Sequence, residues 1–400
     1  MFKKIVNTFF TKVFTAVSSF AVLVLVSHIL GTEGKGEQAI IAFNISILTL
    51  FFTFLGNSCL IYLTPRKDFT LLFIPSLLWM LLLSAVFALL ACFVPYFNGQ
   101  YIWITLIIAL IASLSEFNYF VLMGKEKVFE ANNVKLIYTV VSLVIVGILA
   151  LTKRFNGIED YIFALFIAYC LSLFYGIFVL RKDFKGIYFP NKGIIFQNAK
   201  TIFSLGGLKQ SGTIAQNLNY RLSFYILAYF WGKDLVGIYS NACSISEAIM
   251  MFGTSLALVQ YSDLSNNNSA FRAKQLTIKL TKLNAVFTFV AMLVICFLPE
   301  SFWVFVFGEG FGEIAWVVKL LAVGVTLLSC SSNFTQYFAS FGNFSISAFA
   351  SFFGLAVTLL LSLLLIPSFG LSGAAISASA SYIATFSLEL IYFIKWTRKK

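Results

Sequence analysis

The amino-acid sequence predicts an all-α, polytopic membrane protein of about twelve transmembrane helices, arranged as two pseudo-symmetric six-helix lobes around a central cavity. Three observations lead there. The 400 residues are 60% hydrophobic and only 11% charged, against about 25% charged in a typical soluble domain. Apolar runs of about 20 residues or more recur from end to end, each able to cross roughly 30 Å of hydrocarbon as a helix. Short motifs of the first half also return, in the same order, in the second.

The runs occupy 8–30, 38–64, 70–97, 101–123, 133–152, 160–180, 201–230, 237–261, 281–300, 313–340, 345–366 and 371–395. Helix 1 opens with "MFKK", as a signal peptide does, but its run exceeds an ordinary h-region and lacks a clear cleavage site, so it is read as a retained span. It ends in "ILGTEGKGEQA", and helix 7 ends in "FWGKDLVGIYS", with Gly31 and Gly36 spaced like Gly232 and Gly237. "CFVP" at Cys92 to Pro95, closing helix 3, returns as "CFLP" at Cys296 to Pro299, closing helix 9. Gly124 after helix 4 has its counterpart in Gly342 after helix 10. These matches divide the chain into an N-terminal lobe 1–180, a basic linker 181–200 and a C-terminal lobe 201–400. Two parallel six-helix repeats form a transporter plan whose substrate site lies near the midplane of the repeat interface.

The net charge of +12 follows from orientation and requires no nucleic acid. With the N-terminus cytoplasmic, only Lys35, Lys153, Arg154 and Lys233 fall outside, and Lys209, Arg221 and Lys319 fall within helices; every other Lys and Arg is cytoplasmic. That is the positive-inside pattern, with both termini in the cytoplasm. The linker "RKDFKGIYFPNKGIIFQNAK" would lie on anionic lipid headgroups, which contribute about 1 kcal/mol per basic residue. "NNNSAFRAKQLTIKLTKL", Asn266 to Leu283, is a second basic stretch, read as a solvated loop and helix start, with an interfacial helix as the alternative.

Helix 7 carries the strongest polar signal. Gln210, Thr213, Asn217 and Arg221 in "LKQSGTIAQNLNYRL" recur at helical spacing on one face. Lys209 is about 33 Å from the outer end and can snorkel to the cytoplasmic interface, whereas Arg221, about 15 Å in, cannot easily do so. A charge at mid-bilayer costs at least about 2.5–3.5 kcal/mol and usually faces a bundle interior or a watery cavity. Two readings stand for Arg221: a structural pair with Glu247 of helix 8, or an anion site, since guanidinium matches phosphate oxygens bidentately. Helix 1 has its own stripe of Asn7, Thr11, Thr15 and Ser18, lining either a cavity shared with helix 7 or an interhelical contact. Lys319 is a secondary cation in the outer part of helix 10. Glu116 in helix 4 either carries a coupling proton or pairs with a loop lysine, and Glu389 is placed at the cytoplasmic interface.

Several chemistries are excluded. The six cysteines (Cys59, Cys92, Cys170, Cys243, Cys296 and Cys330) form no CxxC pair and read as packing residues. His28 is the sole histidine, so no His-based metal cluster or Ser/His/Asp set can be assembled. "GTEGKG" and "GEGFG" match neither nucleotide-loop pattern. No cofactor is expected, and a transmembrane proton or sodium gradient remains open as the energy source.

"YRLSFYILAYFWGKDLVGIYSNA", "FVFGEGFGEIAWVVKLLAVGV" and "GNFSISAFASFFGLAVTLLLSLLLIPSFGLSGAAISASASY", together with "HILGTEGKGEQ", resemble the Wzx-type polysaccharide flippases. These belong to the MATE-related oligosaccharidyl-lipid exporter superfamily. The resemblance implies two six-helix lobes with a cavity opening alternately to each side of the bacterial cytoplasmic membrane. It implies a lipid-linked oligosaccharide diphosphate as substrate, moved to the periplasmic leaflet with Arg221 and Lys319 holding the diphosphate. It also implies contact with membrane lipids and polysaccharide-assembly machinery. Members often carry an acid beside the helix 7 cation, where this chain has Tyr220, so the counter-ion role shifts to Glu247. The rival readings are a drug antiporter, which would prefer acids in its cavity, and a membrane glycan polymerase, ligase or acyltransferase, which would need a long external loop or an intramembrane histidine.

Overall fold

Hydrocarbon offers the backbone no hydrogen-bond partner, so apolar segments of this length satisfy their own amides as helices. The computed structural model describes the backbone of residues 2–93, 99–155, 157–266 and 270–399. Its helices are α1 (Phe2–Phe52), α2 (Leu60–Leu63), α3 (Phe69–Phe93), α4 (Ile102–Gly124), α5 (Val128–Leu151), α6 (Ile158–Val179), α7 (Arg181–Lys185), α8 (Lys192–Trp231), α9 (Lys233–Asn266), α10 (Ala270–Cys296), α11 (Glu300–Phe307), α12 (Ile314–Ser340) and α13 (Phe344–Lys399). Among the described residues, nine helical segments are long and apolar enough to cross a membrane, and no strand is present. Two of those segments, Phe10–Leu63 and Phe344–Arg398, run for 54 and 55 residues, about twice what one crossing needs. The expected twelve crossings require each of these to cross twice and α8 to cross as well.

The bends are made by single glycines. Helix α1 is interrupted only at Gly31 (φ 65°) and α13 only at Gly370 (φ 50°), left-handed conformations that a side chain disfavours. The segment expected as the loop "GTEGKGEQ" is therefore helical from Thr32 onward, and Lys35, expected outside, is 4% exposed. Gly232, the counterpart of Gly31, also has a positive φ, 87°, between α8 and α9. The third matched pair differs in conformation. Gly342 (φ 72°) follows α12, but Gly124 ends α4 inside the helix, and the positive φ there falls on Glu126. Val94 and Pro95 of "CFVP" lie outside the described residues.

The chain packs as two compact units: residues 1–29 with 41–210, and residues 30–40 with 211–400. The core of the first joins Phe52, Leu60, Leu72, Met80, Phe117 and Leu180. Phe69, Phe73, Phe117 and Phe184 meet there edge-on or stacked, with centroids 5.0–5.9 Å apart. Helix α8 begins within the expected linker, and its start is tied to this unit by Lys67 donating to Asn198.

The second unit is organised partly by polar contacts. Gln260, Thr277, Asn284, Thr288, Ser329 and Asn333 are all fully buried on α9, α10 and α12. The Asn333 amide donates to Gln260 Oε1 at 2.8 Å, Gln260 Nε2 donates to Thr277 Oγ1 at 3.0 Å, and Asn284 Nδ2 donates to Asn333 Oδ1 at 3.0 Å. Ser329 and Thr288 both donate to Asn284 Oδ1. Each amide thereby avoids the cost of an unpaired buried polar group. In the same unit the α1 segment after Gly31 crosses the start of α9. A Cβ at Gly36 would overlap the Lys233 carbonyl, and one at Gly237 would overlap the Thr32 carbonyl. The two glycines matched by the repeat thus allow their backbones into direct contact, flanked by a 2.7 Å ion pair from Lys233 to Glu37 and a 2.7 Å bond from Thr32 Oγ1 to Asp234.

Candidate functional site

Helices α8 and α9 run in opposite directions from Gly232. Arg221 stands ten residues before Trp231, about 15 Å from the turn, and Glu247 about 21 Å beyond Lys233. Side chains lean toward the N-terminus of their own helix, so Arg221 leans away from the turn and Glu247 leans back toward it. They meet: Arg221 Nη2 is 2.7 Å from Oε1 and 2.8 Å from Oε2 of Glu247. The pair is neither solvated nor sealed, with side chains 22% and 39% exposed. The guanidinium also lies over the Phe224 ring, 5.1 Å from its centroid, an arrangement that favours a cation. Among the described residues only Nη2 of its donors is engaged.

The other expected residues are distributed unevenly. Asn217 donates to the Thr213 carbonyl at 2.9 Å, one turn before Arg221 on α8. Gln210 belongs to the first unit and is 7% exposed, donating to the Leu50 carbonyl at 2.8 Å near the end of α1. Lys209 donates to Ser58 at 3.1 Å. Thr11 is buried and Thr15 partly exposed in the first unit. Glu116 forms an ion pair with Lys135 of α5, whose ammonium lies 5.0 Å from the centre of the Tyr119 ring. Lys319 is exposed on α12.

Two residues escaped sequence reasoning. Lys35 donates to Gln38 and lies within electrostatic range of Arg221, in the same unit. Glu389, expected at the interface, is 2% exposed and accepts from Ser331 and, at 2.9 Å, from Thr335. Lys35 was obscured by its glycine-rich surroundings, yet its i+3 spacing from Gln38 was a legible helical signal. Glu389 follows Tyr382 by two turns, which puts it on that residue's face of α13. Among the described residues no group of three His, Cys, Asp or Glu could hold a metal ion, and all six cysteines are free thiols.

Arg221 and Glu247 thus form an ion pair between two long helices of one unit. Residues 1–258 match the family described as polysaccharide biosynthesis protein. The chain belongs to that family. The chain is 23% identical over 394 residues to an uncharacterized membrane protein of Methanocaldococcus jannaschii, covering 93% of this chain and 92% of the relative. Its fold is similar to that of the lipid II flippase MurJ in an inward closed conformation, with TM-score 0.76 and 16% identity over 98% of this chain and 87% of the other. It is also similar to an inward-facing multidrug resistance MATE family transporter of the MOP superfamily, with TM-score 0.73 and 15% identity over 96% and 94%. The chain therefore has the all-helical fold of these multi-pass membrane proteins.

Proposed function

We propose that this protein is a flippase, a carrier and not an enzyme, that moves an undecaprenyl-diphosphate-linked oligosaccharide from the cytoplasmic to the periplasmic leaflet. In this reading it works in the bacterial cytoplasmic membrane, by alternating access, in surface polysaccharide assembly. The observation that carries the reading is Arg221, a permanent cation deep in α8 whose counter-ion comes from another helix and which keeps donors free. A diphosphate must cross a region of low dielectric, where a cation at mid-depth lowers the barrier strongly. In the resting state Glu247 holds the guanidinium. An arriving diphosphate takes the free Nε and Nη1 donors in the fork geometry that suits phosphate oxygens, and Glu247 is released or shares the cation. Asn217 would meet the glycan. The family membership and the likeness to a lipid II flippase support a lipid-linked glycan over a small drug. An organic cation would meet Arg221 as a like charge.

The test is replacement of the chromosomal gene. Arg221→Ala should abolish surface glycan while the protein inserts at normal abundance, and Arg221→Lys should restore part of it. Normal surface glycan with Arg221→Ala removes the anion site. Intact glycan together with lost efflux of organic cations on deletion would favour the drug antiporter.

A further inference from the structure

Glu389 lies within the second unit on α13, with a side chain 2% exposed. Its two oxygens accept from the hydroxyls of Ser331 and Thr335, both on α12. Among the described residues no lysine or arginine forms an ion pair with it, whereas Glu37, Glu116, Asp183, Glu247 and Asp263 each have one. Among the described residues, α12 contributes the two hydroxyls that bond it. The first half of α13 brings Ser347 near, its hydroxyl making no hydrogen bond, and α8 brings Tyr220, a titratable group in electrostatic range. Tyr220 is also within electrostatic range of Glu247 and Arg221, and packs edge-on against Tyr382 at 5.8 Å.

A buried carboxylate without a cation is costly to keep ionised, and neutral hydroxyl donors offset only part of that cost. Hydroxyls both donate and accept. Ser331 and Thr335 therefore suit either state: they donate to the anion, and one turns to accept when the carboxyl carries its proton. Loading and release then need no rearrangement of the backbone. We propose that Glu389 is a reversible proton-binding site, and that through it a proton gradient acts on transport, its charge being felt at the Arg221–Glu247 pair by way of Tyr220. The coupling half of this proposal rests on the flippase reading; proton binding does not.

Two measurements on the full chain in lipid vesicles test it. In pH-difference infrared spectra without substrate, the wild type should show the carbonyl stretch of a protonated carboxylic acid that disappears at high pH. Glu389→Gln should lack that band, and Glu389→Asp should shift it. Identical wild-type and Gln spectra, or a band that responds to sodium and not to pH, would overturn proton binding. With a fluorescent undecaprenyl-diphosphate sugar, an imposed pH gradient should accelerate wild-type flipping several-fold and leave Glu389→Gln flipping unaffected by the gradient. Equal acceleration of both proteins would make Glu389 a packing residue. Failure of the wild type to move the sugar at all would sink the flippase reading and the coupling role with it, while the infrared band would still decide proton binding.

Discussion

Arg221 and Glu247 illustrate how a single charge in an apolar helix constrains everything near it. Removing one member strands the other in a poorly solvated setting, so Arg221→Ala and Glu247→Ala should each lower stability by more than the double variant implies. A double-mutant cycle on purified protein, read by unfolding in detergent, should return a coupling of about 0.5–3 kcal/mol. By contrast the half-exposed pair of Lys233 with Glu37 should contribute about 0–1 kcal/mol, with Glu37→Gln leaving the melting temperature nearly unchanged. The Arg221–Glu247 pair was legible in the sequence because both residues interrupt apolar runs at similar depth. The burial of Lys35 and Glu389 was hidden from the sequence for a common reason. Distance from a helix end measures depth along the membrane normal, while burial depends on which neighbouring helices cover the side chain.

At the scale of elements, the helix crossing at Gly36 and Gly237 and the amide network of α9, α10 and α12 carry distinct costs. Gly237→Ala places a methyl group against the Thr32 carbonyl, and the backbone shift should destabilise the protein by about 1–3 kcal/mol. Gly193, exposed near the start of α8 with open space around its Cβ position, provides the control: Gly193→Ala should not lower the melting temperature. Asn284→Ala removes the donor to Asn333 Oδ1 and the acceptor of Ser329 and Thr288, which keep a 3.1 Å bond to each other, and the acceptor left unpaired on Asn333 should cost about 1–3 kcal/mol. The apolar runs themselves were readable because length and hydropathy suffice for a hydrocarbon-spanning helix. The continuity of α1 through "GTEGKGEQ" was not. Polar, glycine-rich composition signals a loop, yet one left-handed residue suffices for the bend, and Lys35 and Gln38 find each other on the helix that continues. The amide network was likewise hidden, because Gln260, Asn284 and Asn333 are far apart in sequence and only packing joins them.

For the whole molecule, the sequence conveyed the all-helical membrane class, and the family match extends over residues 1–258. The orientation rests on the distribution of lysine and arginine, and reporter fusions should place both termini in the cytoplasm. What composition could not convey is how the expected site residues divide between the two units, with Gln210, Thr11, Thr15 and Glu116 in one and Thr213, Asn217, Arg221, Glu247 and Lys319 in the other. That division depends on where α1 and α8 pass from one unit to the other, and no local pattern marks it. The central claim is that Arg221 receives a lipid-linked diphosphate. It is tested most directly with purified protein in vesicles, by the rate at which a fluorescent undecaprenyl-diphosphate sugar reaches the opposite leaflet. Wild type should flip it, and Arg221→Ala should slow it about tenfold or more, a loss of at least about 1.4 kcal/mol, with Arg221→Lys between the two. Equal rates for wild type and Arg221→Ala would contradict the account.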